Sequence, residues 1–194
     1  MVQLLDKTRD QLITFPGTWE GFKLIQQGLK DSPGARLVYY DGMIEILMPG
    51  EAHEIFAHII GYLVTTFLAE KGIPFVPTRQ KDQEREGVAS AQADESYCLG
   101  RSKPIPDLSI EVVFTNGGVS KLTRYQALEV PEVWFWQDGT LDIYHLCSNG
   151  YQRIARSQLP GLEDLDIELL KRCMLIAKTD AVEAIRTFRR AIAG

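Results

Sequence analysis

The chain has 194 residues, of which 45% are hydrophobic and 24% charged, usage that excludes a disordered, collagen-like or low-complexity protein. That length suits one domain over residues 1–194 with a sizeable core. With 21 Lys plus Arg against 26 Asp plus Glu, the net charge of −5 argues against nonspecific coating of nucleic acid, although a small basic groove can sit inside an acidic total.

In chain order, Thr18 is a suitable N-cap, with Glu20 in the first turn, for a short helix ending before residues 31–34. A hairpin is predicted next, with strands over 36–40 and 43–48 joined by Asp41-Gly42, the pair that a two-residue type I′ turn prefers. From 51 to 71 the apolar residues Ile55, Phe56, Ile59, Ile60, Leu63, Val64, Phe67 and Leu68 form one helical stripe, closed by Gly72. A strand begins at Ile73. Residues 79–92 are polar and aperiodic, and read as strand ends around a loop at Glu86-Gly87. Strands follow over 93–99 and 107–114. In the second, Leu108, Ile110, Val112 and Phe114 alternate with Asp107, Ser109, Glu111 and Val113, which predicts one core face and one face carrying carboxylates. Residues 117–130 read as a helix, 132–136 and 141–146 as a hairpin over Asp138-Gly139, and the chain from 165 as terminal helices. The order predicts an α/β or α+β domain with a mixed sheet.

Cys98, Cys147 and Cys173 are odd in number, widely spaced and without CxxC, so neither a disulfide scaffold nor a cysteine zinc site is predicted. The opening MVQLLDKTRD carries charges and no apolar run, and the most apolar stretch, 55–69, is periodic and contains His58 and two threonines. A cytoplasmic protein with no membrane association is expected.

His53 and His58 invite comparison with HExxH, but a spacing of five sets the imidazoles about 140° apart on a helix, which excludes a shared zinc. By itself His53 reads as a capping or surface residue, and His58 as a core or interface residue. No GxSxG, GxxxxGK[ST] or GxGxxG is present. What remains is acidic residues and one lysine. Glu111, flanked by apolar residues, needs a partner or a metal unless its strand face is solvated. Lys121 falls within the inward stripe of the 117–130 helix; it either snorkels to solvent or faces Glu111 across sheet and helix, as a nuclease site requires. Mg²⁺ sites use one or two carboxylates with waters and substrate phosphate. Asp107 lies four residues from Glu111 on one strand, roughly 13 Å away, whereas Asp94 lies on the preceding strand about 5 Å across, so Asp94 is the expected second carboxylate.

These residues sit in a series, YYDGMIEILMPGEAHEIFAH, ADESYCLG, PIPDLSIEVV, SKLTRYQALEVPEVWFW and LDIYHL, that resembles the Uma2 family of the PD-(D/E)XK nuclease superfamily. The resemblance implies a restriction endonuclease-like core with an N-terminal helix and hairpin. It places the metal aspartate on Asp94, the glutamate on Glu111 and the lysine on Lys121, and matches His53 to a histidine at the head of the family's helix. Two departures stand out. Val113 occupies the superfamily's usual lysine position, so Lys121 acts from the next helix, and Ala93 replaces a proline that supplies no ligand. The implied activity is Mg²⁺- or Mn²⁺-dependent hydrolysis of DNA phosphodiesters, with Asp94, Glu111 and the Val112 carbonyl on the ion, Lys121 orienting water or stabilising charge, and His53 contacting water or phosphate. The rival is an inactive nuclease-fold module for DNA binding or protein interaction. A homodimer is expected for double-strand cutting, with Trp134, Trp136 and 141–146 either its contact surface or ordinary core. Lys121→Ala is expected to slow cleavage with stability nearly intact.

Overall fold

The computed structural model describes residues 9–31, 34–114 and 119–193; the first two residues of the predicted 117–130 helix lie outside the described residues. In chain order these form β1 (Gln11–Pro16), α1 (Trp19–Gly28), β2 (Arg36–Tyr40), β3 (Met43–Met48), α2 (Glu51–Glu70), β4 (Phe75–Pro77), β5 (Gln83–Arg85), β6 (Ala89–Ala91), β7 (Glu95–Leu99) and β8 (Leu108–Val113). A 3-10 turn (Val119–Lys121) leads into α3 (Leu122–Leu128), followed by β9 (Glu132–Gln137), β10 (Thr140–Cys147), β11 (Gly150–Ile154), α4 (Ile167–Ala177) and α5 (Ala181–Ile192).

Local chemistry explains the best-marked boundaries. Thr18 Oγ1 accepts the Gly21 N–H at 3.1 Å, capping α1. Asp41 and Gly42, and again Asp138 and Gly139, all take positive φ, the backbone of the type I′ turns that close the β2–β3 and β9–β10 hairpins. Residues 79–92 contain more order than their aperiodic sequence predicts: β5 and β6 pair around Gly87, whose φ is +70°.

The strands form two sheets, one more than the sequence led us to expect. The first is antiparallel, in the order β1-β3-β2-β6-β5; the second is mixed, β11-β10-β9-β8-β7-β4, with β8 and β9 parallel across the α3 crossover. α2, α4 and α5 cover one face of the mixed sheet, burying Leu108, Ile110, Val112, Trp134 and Trp136. Both tryptophans therefore belong to the core and are not a dimer surface. Within α2 the inward side contains Phe56, Ile60, Leu63 and Leu68, while Ile55 and His58 are exposed, which removes both from the predicted apolar stripe and core. α2 has the length and apolarity of a membrane span, but its apolar side packs inside this fold.

The second face of the mixed sheet is not solvated. α3 and β6 close over it, burying Val113, Tyr125, Val133 and Phe135 in a separate apolar cluster, so every residue of β8 is buried. The carboxylate face of β8 consequently looks into a cleft between the two sheets. Lys121 belongs to the 3-10 turn and not to the α-helix, which is shorter than the predicted 117–130 segment.

Gly50, the N-cap of α2, supplies no side-chain cap. Asp10, just before β1, caps it from a distance, its Oδ1 accepting the Gly50 N–H at 2.8 Å. A Cβ on Gly50 would lie 2.8 to 2.9 Å from backbone atoms of Arg9, contacts that only backbone movement can relieve. Gly50→Ala is therefore expected to cost about 1–3 kcal/mol, read as a lowered midpoint in thermal unfolding.

Candidate active site

The cleft draws on both sheets, the head of α2 and the start of α3. Asp94, immediately before β7, lies beside Glu111: its N–H donates to the Ile110 carbonyl at 3.1 Å, and its Oδ2 accepts the Val112 N–H at 2.7 Å. The residues on either side of Glu111 thus hold Asp94. Asp94 and Glu111 are 1% and 4% exposed, so the solvated reading of Glu111 fails.

Glu111 is surrounded by donors. Lys121 Nζ donates to its Oε2 at 2.7 Å, the Tyr125 hydroxyl donates to its Oε1, and Arg124 NH2 lies 3.9 Å from the same oxygen. Burial opposes ionisation, but the charges of Lys121 and Arg124 and the two hydrogen bonds outweigh it and hold the carboxyl at about 2. Glu111 is an anion at neutral pH. Burial, reinforced by the charge of Glu111 and also by that of Asp94, raises the Tyr125 hydroxyl well above its ordinary value, keeping it a neutral donor.

His53 is buried, not a surface residue, because carboxylates flank it on both sides. Its Nδ1 lies 2.8 Å from Asp10 Oδ2 and its Nε2 2.9 Å from Asp94 Oδ2. Burial lowers its pKa, but Asp94 and then Asp10, by hydrogen bond and charge, raise it overall. Both ring nitrogens face acceptors, which favours the imidazolium. Arg36, the first residue of β2, completes the shell with Nε 2.9 Å from Asp94 Oδ1.

The structure thus brings the sequence-derived residues Glu111, Lys121, His53 and Val112 to the lining of one cleft, with Asp94 buried directly behind it against His53, Val112 and Arg36. Asp107 is elsewhere, accepting the Leu99 N–H at 2.7 Å and paired with Lys103 at 2.6 Å. Sequence reasoning missed Asp10, Arg36, Glu45 and Arg124. Glu45 carries the signal that flagged Glu111, a charge inside an apolar strand; Arg36 stands only at the head of its strand, Arg124 one helical turn from Lys121, and Asp10 carries no such signal.

Whether this site suits a divalent cation turns on its donors. Two carboxylates and the Val112 carbonyl are hard oxygen ligands of the kind Mg²⁺ and Mn²⁺ take, Glu111 is ionised, and Asp94 Oδ1 is held by its ion pair with Arg36 alone. The donors fit. Among the described residues no cluster of three or more His, Cys, Asp or Glu forms a cage, so water and substrate would supply the remaining ligands.

Next to Asp94, Glu95 points to the other side of the sheet, where a Cβ on Gly61 of α2 would meet its carboxyl at 2.7 Å. Burial pushes Glu95 up to about 7; Arg79 and Arg36 oppose this and the charge of Asp94 adds to it. A carboxyl raised on folding supports stability fully below about pH 4.5 and loses that support as pH rises through 7. Glu95→Gln is expected to be nearly neutral at pH 4 and to stabilise by up to ~3 kcal/mol at pH 8, measured by thermal unfolding at both values.

The two sheets, the crossover helix and the carboxylate–lysine cleft define the class: an α+β domain of the restriction endonuclease-like type. The chain belongs to the Uma2 family, described as "Putative restriction endonuclease", whose profile matches residues 19–172. No curated protein matches the sequence.

Proposed function

We propose that the whole chain acts as one nuclease domain, a Mg²⁺- or Mn²⁺-dependent endonuclease that hydrolyses DNA phosphodiester bonds in the cytoplasm. The observation that supports this most is the hydrogen bond from the Val112 N–H, next to Glu111, to Asp94 Oδ2, together with Lys121 Nζ at 2.7 Å from Glu111, at a small cleft between the two sheets. Asp94, Glu111 and the Val112 carbonyl would hold the cation, which when bound supplies Lewis-acid polarisation of the phosphate and a nucleophile at neutral pH. Lys121, one-fifth exposed, offers a fixed positive charge at the cleft mouth. There it orients the attacking water or stabilises charge that develops on the phosphate. His53, held by Asp10, fixes the orientation of Asp94 and lines the same cleft toward water or phosphate.

One observation favours the rival, a noncatalytic module for DNA binding or protein interaction. Each carboxylate already has its own protein cation, Arg36 on Asp94 and Lys121 on Glu111, so the charges balance within the chain. Incubation of supercoiled and linear duplex DNA with Mg²⁺, Mn²⁺ or EDTA separates the two. Cleavage that requires the cation and is lost in Asp94→Asn supports the endonuclease; DNA binding without cleavage under any of these conditions supports the module. Cutting both strands further calls for a homodimer, two sites related by a two-fold axis. Light scattering at micromolar concentration should give twice the chain mass, and a monomer would refute the pairing.

A further inference from the structure

Two guanidinium groups line the cleft from different walls. Arg36 enters from β2 of the antiparallel sheet and Arg124 from α3, and they are only 2% and 5% exposed. Each is tethered by carboxylates. Arg36 has Nε 2.9 Å from Asp94 Oδ1 and NH2 2.9 Å from Glu54 Oε1, while Arg124 NH1 donates to Glu45 Oε2 at 2.7 Å with NH2 3.9 Å from Glu111 Oε1.

Those tethers leave donors unused. Among the described residues Arg36 NH1 has neither a hydrogen bond nor an ion pair, and Arg124 Nε has no hydrogen-bond partner. A buried N–H without an acceptor is costly, more so on a charged group, and a purely structural arginine would normally have its fork filled. The flat, permanently charged guanidinium matches a tetrahedral oxyanion offering two acceptors, the geometry of a phosphate.

We propose that Arg36 and Arg124 are the phosphate ligands of this cleft, gripping non-bridging oxygens of a phosphodiester backbone from opposite sides of the Asp94–Glu111 pair. This rests on the endonuclease reading and adds to it the groups that seat the substrate. Glu54 and Glu45 hold the two forks in place until the phosphate arrives. Lys121 and His53 also bring positive charge to the cleft, but Lys121 donates to Glu111 at 2.7 Å and both ring nitrogens of His53 face carboxylates, whereas each arginine has a nitrogen without a hydrogen bond.

The test is duplex DNA binding by the intact protein, followed by fluorescence anisotropy across a salt series, with Ca²⁺ replacing Mg²⁺ to suppress turnover. Arg36→Met and Arg124→Met should each weaken binding by tenfold or more and lower the slope of log K against log salt by about one, as loss of one phosphate contact does. Arg36→Lys and Arg124→Lys keep the charge, guard against misfolding of the methionine variants, and should retain the slope while losing affinity. Slopes and affinities unchanged in all four variants would make both arginines structural and overturn the proposal. A second arm titrates inorganic phosphate against the wild type and the same variants by thermal shift. Arginine-dependent stabilisation by phosphate in a protein that does not bind duplex DNA would uphold the phosphate site while overturning DNA as the substrate.

Discussion

Glu111→Ala is expected to abolish cation-dependent cleavage and also to cost about 3–5 kcal/mol of stability, because it removes the one anion shared by Lys121, Arg124 and Tyr125. The large stability loss follows from burial: Arg124 is 5% exposed and keeps only Glu45 as a partner once Glu111 is gone. Glu111→Gln separates the two effects. It preserves the volume and an acceptor for the Tyr125 hydroxyl, so more of the fold should survive, while the lost negative charge still removes a cation ligand. The pH dependence adds a check with a definite sign. A carboxyl held at about 2 in the folded chain, against an ordinary 4.5, contributes stability fully above pH 4.5 and loses it as pH falls toward 2. Acid unfolding of Glu111→Gln, monitored by circular dichroism, should therefore be shallower through that interval than that of the wild type.

Lys121→Ala is expected to slow cleavage by on the order of 10²-fold or more, the usual cost of removing one preorganised charge at the reacting phosphate. Its effect on stability differs from the sequence-based expectation of near neutrality, which treated the amine as an unpaired burden on an inward helical stripe. The amine has a partner at 2.7 Å and the partner is buried, so alanine leaves Glu111 dependent on Tyr125 and the more distant Arg124. A loss of about 1–2 kcal/mol is expected, smaller than for Glu111→Ala because those two donors remain. Single-turnover cleavage rates alongside thermal unfolding measure both quantities. A wild-type rate would make Lys121 structural.

What the sequence revealed, and what it hid, divides by the range of the interactions. Asp41-Gly42 and Asp138-Gly139 mark their hairpins because positive φ is a local demand, and α2 is marked by a periodicity spanning five turns. Glu111 could be singled out because its own neighbours are apolar, and Asp94 because strand spacing excluded Asp107. β1 and β11 left no comparable signal; each is the edge of its sheet and is defined by the strand it pairs with. The burial of His53 was equally hidden. It depends on Asp10, 43 residues earlier, and Asp94, 41 residues later, reaching opposite ring nitrogens. The cleft needs a second sheet to close over β8, and no single segment encodes that closure. Glu45 shows how far the local rule could have gone, since a charge inside an apolar strand marks it as plainly as it marks Glu111.

If Asp94 and Glu111 act on one divalent cation, crystals of the protein grown with Mn²⁺ should reveal it by anomalous diffraction. A single anomalous peak is expected in the cleft, ligated by the Asp94 and Glu111 carboxylates and the Val112 carbonyl, with Arg36 turned away from Asp94 Oδ1. Crystals that show no ion there, with the Arg36–Asp94 and Lys121–Glu111 pairs intact at millimolar Mn²⁺, would contradict it.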